Sequence, residues 1–408
     1  MTSEDRLWIV SRFYAEETGT GYAMTRTAEG LSHYFSVHVL CGQPDYVHIT
    51  RRAARNEIQN NVTIFRVNAT PFSNESLPFK LLNMIISSLQ IFFQGLRFVK
   101  RNETVLIVNL PPLLPFLALF FCKIRGTKTF LLVHDVYPDS LAVAGILESD
   151  SPVIRALNYL FKIFYRGFDR IVVLGRDMQK LIADKLDHDS SKIVVIPNTA
   201  DIDEIYPTPR HENVLLERLA LNGKFVVKYS GHMGRTHGLE ILLDAVKKMS
   251  VTDPGVHFLF VGTGPKRRWL EGEASSNRLN NITIQSFVPR EDILDSMNAC
   301  DVGLISFMPG MWGVSVPSRF YDVIASGKPA IFVGDEQSEI ALVIKEEGIG
   351  WVIPPSDVDR IIGAILEAKQ NPELLFNMGV RCRLVAEEKY ARSHQIQSYR
   401  RLFSKVAE

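Results

Sequence analysis

The chain reads as an α/β protein built from two Rossmann-like, nucleotide-binding-type halves, each with a parallel sheet, facing one another across a cleft. Three observations predict this. Strand-length apolar runs alternate with stretches of helical spacing from Leu7 to Ile353. The pattern starts afresh at Phe225, after the proline- and acid-rich stretch Pro197–Pro209 (PNTADIDEIYPTP), which is the expected linker. The chain also has 408 residues, too many for one ordinary core. Boundaries are placed at 1–203 and 204–385, with 386–408 as a helix packing back on the first domain. Open parallel sheets bind ligands beyond the carboxyl ends of their strands, so two of them offer one wall per ligand and suggest a two-substrate transfer enzyme.

In order, Leu7–Ser11 is a buried-type strand, Arg12–Gly21 a loop with Gly19 and Gly21, and Tyr22–Tyr34 a helix by its spacing. Strands follow at Val37–Cys41, Thr63–Val67, Val105–Asn109, Thr129–His134, Arg170–Leu174 and Ile193–Ile196. The second half has a strand at Phe225–Ser230, a glycine-containing loop at Gly231–Gly238, a helix at Leu239–Met249 and a strand at Val256–Val261. After the turn Gly262-Thr263-Gly264-Pro265 come strands at Ile282–Phe287, Val302–Ser306, Ala330–Val333 and Gly350–Ile353.

Composition narrows the function. A formal net charge of +1 gives no bulk affinity for nucleic acid. Four dispersed cysteines form no CxxC pair, which favours a reducing cytoplasm with neither a disulfide framework nor a zinc site. The acidic start MTSED is not that of a signal peptide. The longest apolar run, Pro111 to Cys122, is too short to span a membrane, so no transmembrane helix is expected. Residues 76–128 nevertheless carry seven Lys or Arg against the single acid Glu103, interleaved with aromatic and aliphatic residues. That composition suits either helices packed on a sheet or a helix lying on an anionic membrane surface.

The most informative segment is Gly303 to Ile331, GLISFMPGMWGVSVPSRFYDVIASGKPAI. It reads as strand, glycine loop, short helix and strand. Pro317 suits a helix start, and Gly327 with Pro329 suits its end. A helix start in a glycine loop suits a phosphate, and Arg319 adds fixed charge. Ser318 and Asp322, four apart, share a face. A carboxylate in an anion site makes sense if the ligand also carries hydroxyls, as a nucleotide ribose does. The dinucleotide fingerprint is incomplete at Gly19-x-Gly21 and at Gly231-x-x-Gly234, and no GxxxxGK[ST] is present, so nicotinamide and P-loop readings are weak.

The run Pro317-Ser318-Arg319-Phe320-Tyr321-Asp322-Val323-Ile324-Ala325-Ser326-Gly327-Lys328-Pro329 resembles the PSK-x-x-E-x-x-A-x-G-K-P segment of glycosyltransferase family 4, retaining enzymes of the GT-B fold. Ile196-Pro197-Asn198 with Asp201, Gly231…His237-Gly238-Leu239, Val261-Gly262-x-Gly264-Pro265 and Cys300-Asp301-Val302-Gly303-Leu304 extend the likeness. Glu17-x-Gly19-x-Gly21 and His134-Asp135-Val136-Tyr137-Pro138-Asp139 are similar to the sub-group that builds bacterial capsule, O-antigen and colanic-acid chains.

The resemblance implies an acceptor-binding first domain and a donor-binding second one. Asp322 stands at the second glutamate of the family's E-x7-E motif, which binds the ribose hydroxyls. Val314 stands at the first and lacks its chemistry, which leaves the backbone N–H groups of Gly313 to Val316, Ser315 among them, to hold the sugar or phosphate. The family's loop cations fall at His232 and His237, so Arg235 and Arg319 are the expected substitutes. Gly19, Gly21, Gly234, Gly262, Gly264 and Val288 complete the donor set. His134 alone reads as a satisfied strand-end histidine; with Asp135 at a strand's carboxyl end it becomes a candidate for positioning the acceptor.

The implied function is transfer of a sugar, with retention, from a nucleotide-diphosphate donor, UDP-linked, to a lipid-linked glycan acceptor at the inner membrane face. The enzyme is expected to be cytoplasmic and peripheral to the membrane. No metal or cofactor is expected. A nucleotide-sugar epimerase of the same architecture and a non-catalytic nucleotide-sugar-binding subunit are the rival readings.

Overall fold

The computed structural model describes residues 6–12, 14, 19–43, 53–68, 77–286 and 288–405. Eight strands form the first sheet: β1 (Arg6–Val10), β2 (Ser36–Cys41), β3 (Asn56–Gln59), β4 (Val62–Arg66), β5 (Thr104–Val108), β6 (Lys128–Leu132), β7 (Arg170–Val173) and β8 (Ile193–Val195). Their order is β3-β4-β2-β1-β5-β6-β7-β8. Every pairing is parallel except β3 with β4. Six parallel strands form the second sheet: β9 (Phe225–Ser230), β10 (Val256–Val261), β11 (Ile282–Gln285), β12 (Val302–Ser306), β13 (Ala330–Val333) and β14 (Gly350–Ile353), in the order β11-β10-β9-β12-β13-β14. Both are Rossmann-like sheets. The central strands read as unbroken apolar runs because helices cover both faces; Leu7, Trp8, Ile9 and Val10 are all buried.

Helices of the first half are α1 (Gly19–Leu31), α2 (Leu77–Phe98), α3 (Leu113–Arg125), α4 (Asp139–Val143), α5 (Pro152–Arg166) and α6 (Arg176–Lys185). The second half has α7 (Val214–Arg218), α8 (Leu239–Thr252), α9 (Arg267–Ser276), α10 (Ile293–Asn298), α11 (Arg319–Ala325), α12 (Glu339–Glu347), α13 (Val358–Gln370) and α14 (Pro372–Lys389). The last helix, α15 (Arg392–Lys405), returns to the first domain. Its Phe403 meets Phe35 and Phe130 edge-on, and Ile396 fills the space left by Gly30. Strand order reverses at β1 and at β9, so a crevice opens beyond the carboxyl end of each.

Three elements differ from the sequence expectation. The strand β3 carries no apolar alternation: Asn56-Glu57-Ile58-Gln59 is polar because it is an exposed antiparallel edge. Gly19 and Gly21 lie in the first turn of α1 rather than in a loop; residues 15–18 and Phe287, which the sequence reading used, lie outside the described residues. And α2 contains a window, Leu81–Phe98, long and apolar enough to cross a membrane by length and composition. Asn83, Ser87, Ser88 and Gln90 break up its apolar run in sequence. The helix nevertheless packs on the body of the domain: Ile91, Asn83 and Ser88 are buried, and Phe121 of α3 fills the space beside Gly95.

Candidate functional site

Loops from both domains enclose a cavity of about 380 Å³. Of the residues singled out from sequence, His134, Asp135, His237, Val314, Ser315, Ser318 and Arg319 line it. His232, at one of the family's loop-cation positions, also lines it, and so do Asn198, Ser140, Thr236 and Phe307, to which sequence reasoning assigned no role. Asn198 belongs to the Ile196-Pro197-Asn198 motif; Ser140 and Thr236 carry no signal in sequence.

The first-domain wall is the turn after β6. Asn109 holds its backbone from both sides: His134 N–H donates to Asn109 Oδ1 at 2.9 Å, and Asn109 Nδ2 donates to the Asp135 carbonyl at 2.6 Å. His134 lines the cavity, and its Nε2 is buried without a hydrogen-bond partner. Burial holds its pKa down at about 4, so the ring is neutral at pH 7. Burial raises the Asp135 pKa, and a hydrogen bond from Ser315 of the other domain opposes that rise.

The second-domain wall is a pair of interlocked glycine turns. At Gly262 a Cβ would lie 1.9 Å from the Gly231 carbonyl oxygen, so no other residue fits. At Gly264 it would lie 2.5 Å from the Met233 carbonyl oxygen. These two glycines therefore shape the wall without lining the cavity. Gly234 lets the rings of His232 and His237 close in on it. Val288 packs against the apolar group that includes Val226 and Leu259, away from the cavity.

Arg319 is the charged centre of the wall. Its guanidinium lies over the Tyr229 ring at 4.8 Å and against Gly231, where a Cβ would be only 3.2 Å from Cζ. Its Nη1 is buried without a hydrogen-bond partner, and among the described residues no carboxylate pairs with it. Burial, then Arg319 and His232, push His237 down to about 2, and burial with Arg319 lowers His232. Both rings are therefore neutral, and His237 Nδ1 is also buried and unpartnered.

Four expectations need correction. Arg235, expected to share the phosphate charge, is exposed on a short turn and does not line the cavity. The N–H groups of Gly313 and Val314 are not free: Gly313 donates to Asp177 Oδ2 of α6 at 3.3 Å, and Val314 donates to the Met311 carbonyl at 3.1 Å. This follows from the docking of the loop on the first domain, where Met311, Val314, Val316 and Phe320 join that domain's apolar core. The helix α11 starts at Arg319 rather than Pro317, with Ser318 exposed at its start. Asp322 does not line the cavity; burial raises its pKa to about 7.

Backbone hydrogen bonds tie the two domains together beside this cavity. Val136 N–H donates to the Val314 carbonyl at 2.8 Å, and Asp135 and Ser315 form an antiparallel bridge. Asp177 also accepts from Glu339 N–H at 3.0 Å, capping α12 from the other domain.

Comparison with known proteins decides the family. The family described as Glycosyl transferases group 1 matches residues 215–383, and Glycosyltransferase Family 4 matches residues 18–204. The probable glycosyltransferase WbjE of Pseudomonas aeruginosa is 34% identical over 271 residues, covering 66% of this chain and 67% of that protein. The chain belongs to glycosyltransferase family 4. The putative colanic acid biosynthesis glycosyl transferase WcaI of Escherichia coli K12 is 21% identical over 256 residues, 62% of each chain. Anabaena Alr3699/HepE, solved in complex with UDP and glucose, superposes with a TM-score of 0.73 at 14% identity, covering 98% of this chain and 99% of that one. That likeness shows the shared fold. This glycosyltransferase thus has the GT-B architecture, with its cavity between two Rossmann-like domains.

Proposed function

We propose that this glycosyltransferase moves a sugar from a UDP-linked donor to a lipid-linked glycan acceptor, with retention, in cell-surface polysaccharide synthesis. The observation that carries the reading is Arg319, which lines the cavity with His134 and Asp135 and whose Nη1 is buried without a hydrogen-bond partner. Breaking the anomeric C–O bond leaves negative charge on a diphosphate, and a fixed cation aimed there stabilises it. Neutral His237 offers a hydrogen bond to the same group without a second charge. Across the cavity, His134 and Asp135 position the acceptor hydroxyl, and the leaving phosphate oxygen takes its proton. The UDP seen with Alr3699/HepE and the colanic-acid role in the name of WcaI support the donor and the pathway class.

The acceptor half also meets the membrane in this reading. The helices α2, α3 and α5 contain seven Lys or Arg and no Asp or Glu. They expose Phe93, Phe120, Tyr159 and Ile163, each more than half accessible. Such a surface suits an anionic bilayer and supports a location on the cytoplasmic face.

The test is a thermal-shift screen over nucleotide sugars, followed by turnover with the best binder. A ligand that binds only the folded protein raises the melting temperature. Stabilisation by UDP-sugars and transfer to a lipid-linked glycan acceptor are expected. Stabilisation without transfer or hydrolysis would point to a binding subunit. Nucleotide release in the absence of any acceptor, with the sugar epimerised, would point to an epimerase.

A further inference from the structure

The first turns of α6, in the first domain, and α12, in the second, meet across the domain boundary. Two buried carboxylates lie between them, and each serves the other domain's helix. Asp177 of α6 accepts from Glu339 N–H at 3.0 Å, and Glu339 of α12 accepts from Arg176 N–H at 2.7 Å. Each acid thus stands at the positive end of the opposite helix, where negative charge is favourable. Without them, two helix starts would bring unpaired N–H groups and two partial positive charges face to face. Arg176 adds charge to the contact: its Nε donates to Glu339 Oε2 at 3.0 Å and its Nη1 to Glu346 Oε1 at 2.7 Å. The close approach needs Gly175, where a Cβ would lie 2.7 Å from Glu339 Cβ.

Asp177 reaches the cavity through one further bond. The oxygen that caps α12 also accepts from Gly313 N–H at 3.3 Å. Gly313 lies against α6 with φ +69°, and a Cβ there would lie 2.9 Å from the Asp177 carbonyl oxygen. The six residues that follow it, Val314 to Arg319, all line the cavity. One carboxylate of the first domain therefore fixes both the start of α12 and the entry to the segment that ends in Arg319.

We propose that Asp177 and Glu339 are positioning residues: by capping each other's helices across the boundary they hold the cleft closed, and Asp177 sets the segment that brings Arg319 to the cavity. Neither acid lines the cavity, so neither acts on substrate directly. Both capping bonds join different domains and exist only while the domains are together. The part that concerns Arg319 rests on reading it as the cation for the donor diphosphate; the part that concerns closure does not.

The experiment pairs small-angle X-ray scattering with calorimetric titration of UDP, both on the full-length enzyme. Wild type is expected to scatter as the closed structure without ligand. Asp177→Ala and Glu339→Ala each give a larger radius of gyration, and Asp177→Ala weakens UDP binding about tenfold. Glu339→Gln keeps an oxygen that accepts from Arg176 N–H, so it opens less than Glu339→Ala. Saturating UDP returns Asp177→Ala toward the compact form, because a ligand held between the domains favours the closed state. A radius of gyration unchanged in both alanine variants overturns the proposal, and so does a Glu339→Gln that opens as far as Glu339→Ala. If Asp177→Ala does not fold, the two Glu339 variants decide alone. A wild type that binds no UDP refutes the donor reading instead, and the scattering still decides the closure.

Discussion

A guanidinium nitrogen that is buried without a partner gives up its hydration and gains no hydrogen bond in return. Arg319 is held in that state by Tyr229 beneath it and by the absence of a side chain at Gly231. A diphosphate would restore its lost bonds, each charge-assisted bond contributing about 1.5–3 kcal/mol. Arg319→Ala is therefore expected to weaken UDP-sugar binding roughly 10- to 100-fold by calorimetry. Arg235→Ala, at an exposed position outside the cavity, is expected to leave affinity within about twofold. Equal losses in the two variants would sink this assignment of charge. From sequence, Arg319 was legible because it sits in a dense motif. Arg235 lies in the same Gly231–Gly238 loop as the two histidines, but sequence proximity does not say which way a side chain points.

At the scale of elements, the approach of α11 to the sheet depends on Gly303. A Cβ there would lie 2.4 Å from Val323 Cγ1, a contact that only a shift of the helix relieves. Since α11 carries Arg319 at its first residue and Asp322 one turn later, that shift displaces both. Gly303→Ala is expected to cost about 1–3 kcal/mol of stability, read by denaturant unfolding, together with a loss of donor affinity. Stability lost with affinity unchanged would mean that α11 does not set the donor site. The strand–loop–helix–strand order of this segment was plain in the spacing of its glycines and prolines. What the loop's N–H groups bond to was not, because the partner of Gly313 is Asp177, 136 residues away in the chain.

For the whole molecule, the asymmetry lies in the first domain. Its outer helices are joined through α3, whose Phe116 contacts Phe161 and Phe164 of α5 while its Phe120 stacks on Phe92 of α2. Each Lys or Arg near an anionic bilayer adds about 1 kcal/mol, and the exposed aromatic residues add burial. The enzyme is expected to co-sediment with anionic but not neutral liposomes at low salt, and to be released as salt screens the surface. Replacing Phe93, Phe120 and Ile163 together by glutamate is expected to abolish binding while leaving UDP affinity intact. Binding that survives this replacement would assign the contact elsewhere. The membership of α5 in this surface was not visible in sequence, because residues 76–128 formed one basic stretch and α5 begins beyond it.

The sequence by itself determined the two parallel sheets, the restart at β9, and the family, because each depends on local periodicity and on short motifs that a chain carries wherever it folds. Only the tertiary structure decided which motif residues meet in one cavity. It put Arg319 there and left Arg235 in solvent, gave the N–H groups of Gly313 and Val314 to protein partners, and kept Asp322 out of the cavity lining. The reason is that hydrogen-bond satisfaction and charge balance are settled between distant segments, when two domains close on each other and most buried polar groups find partners.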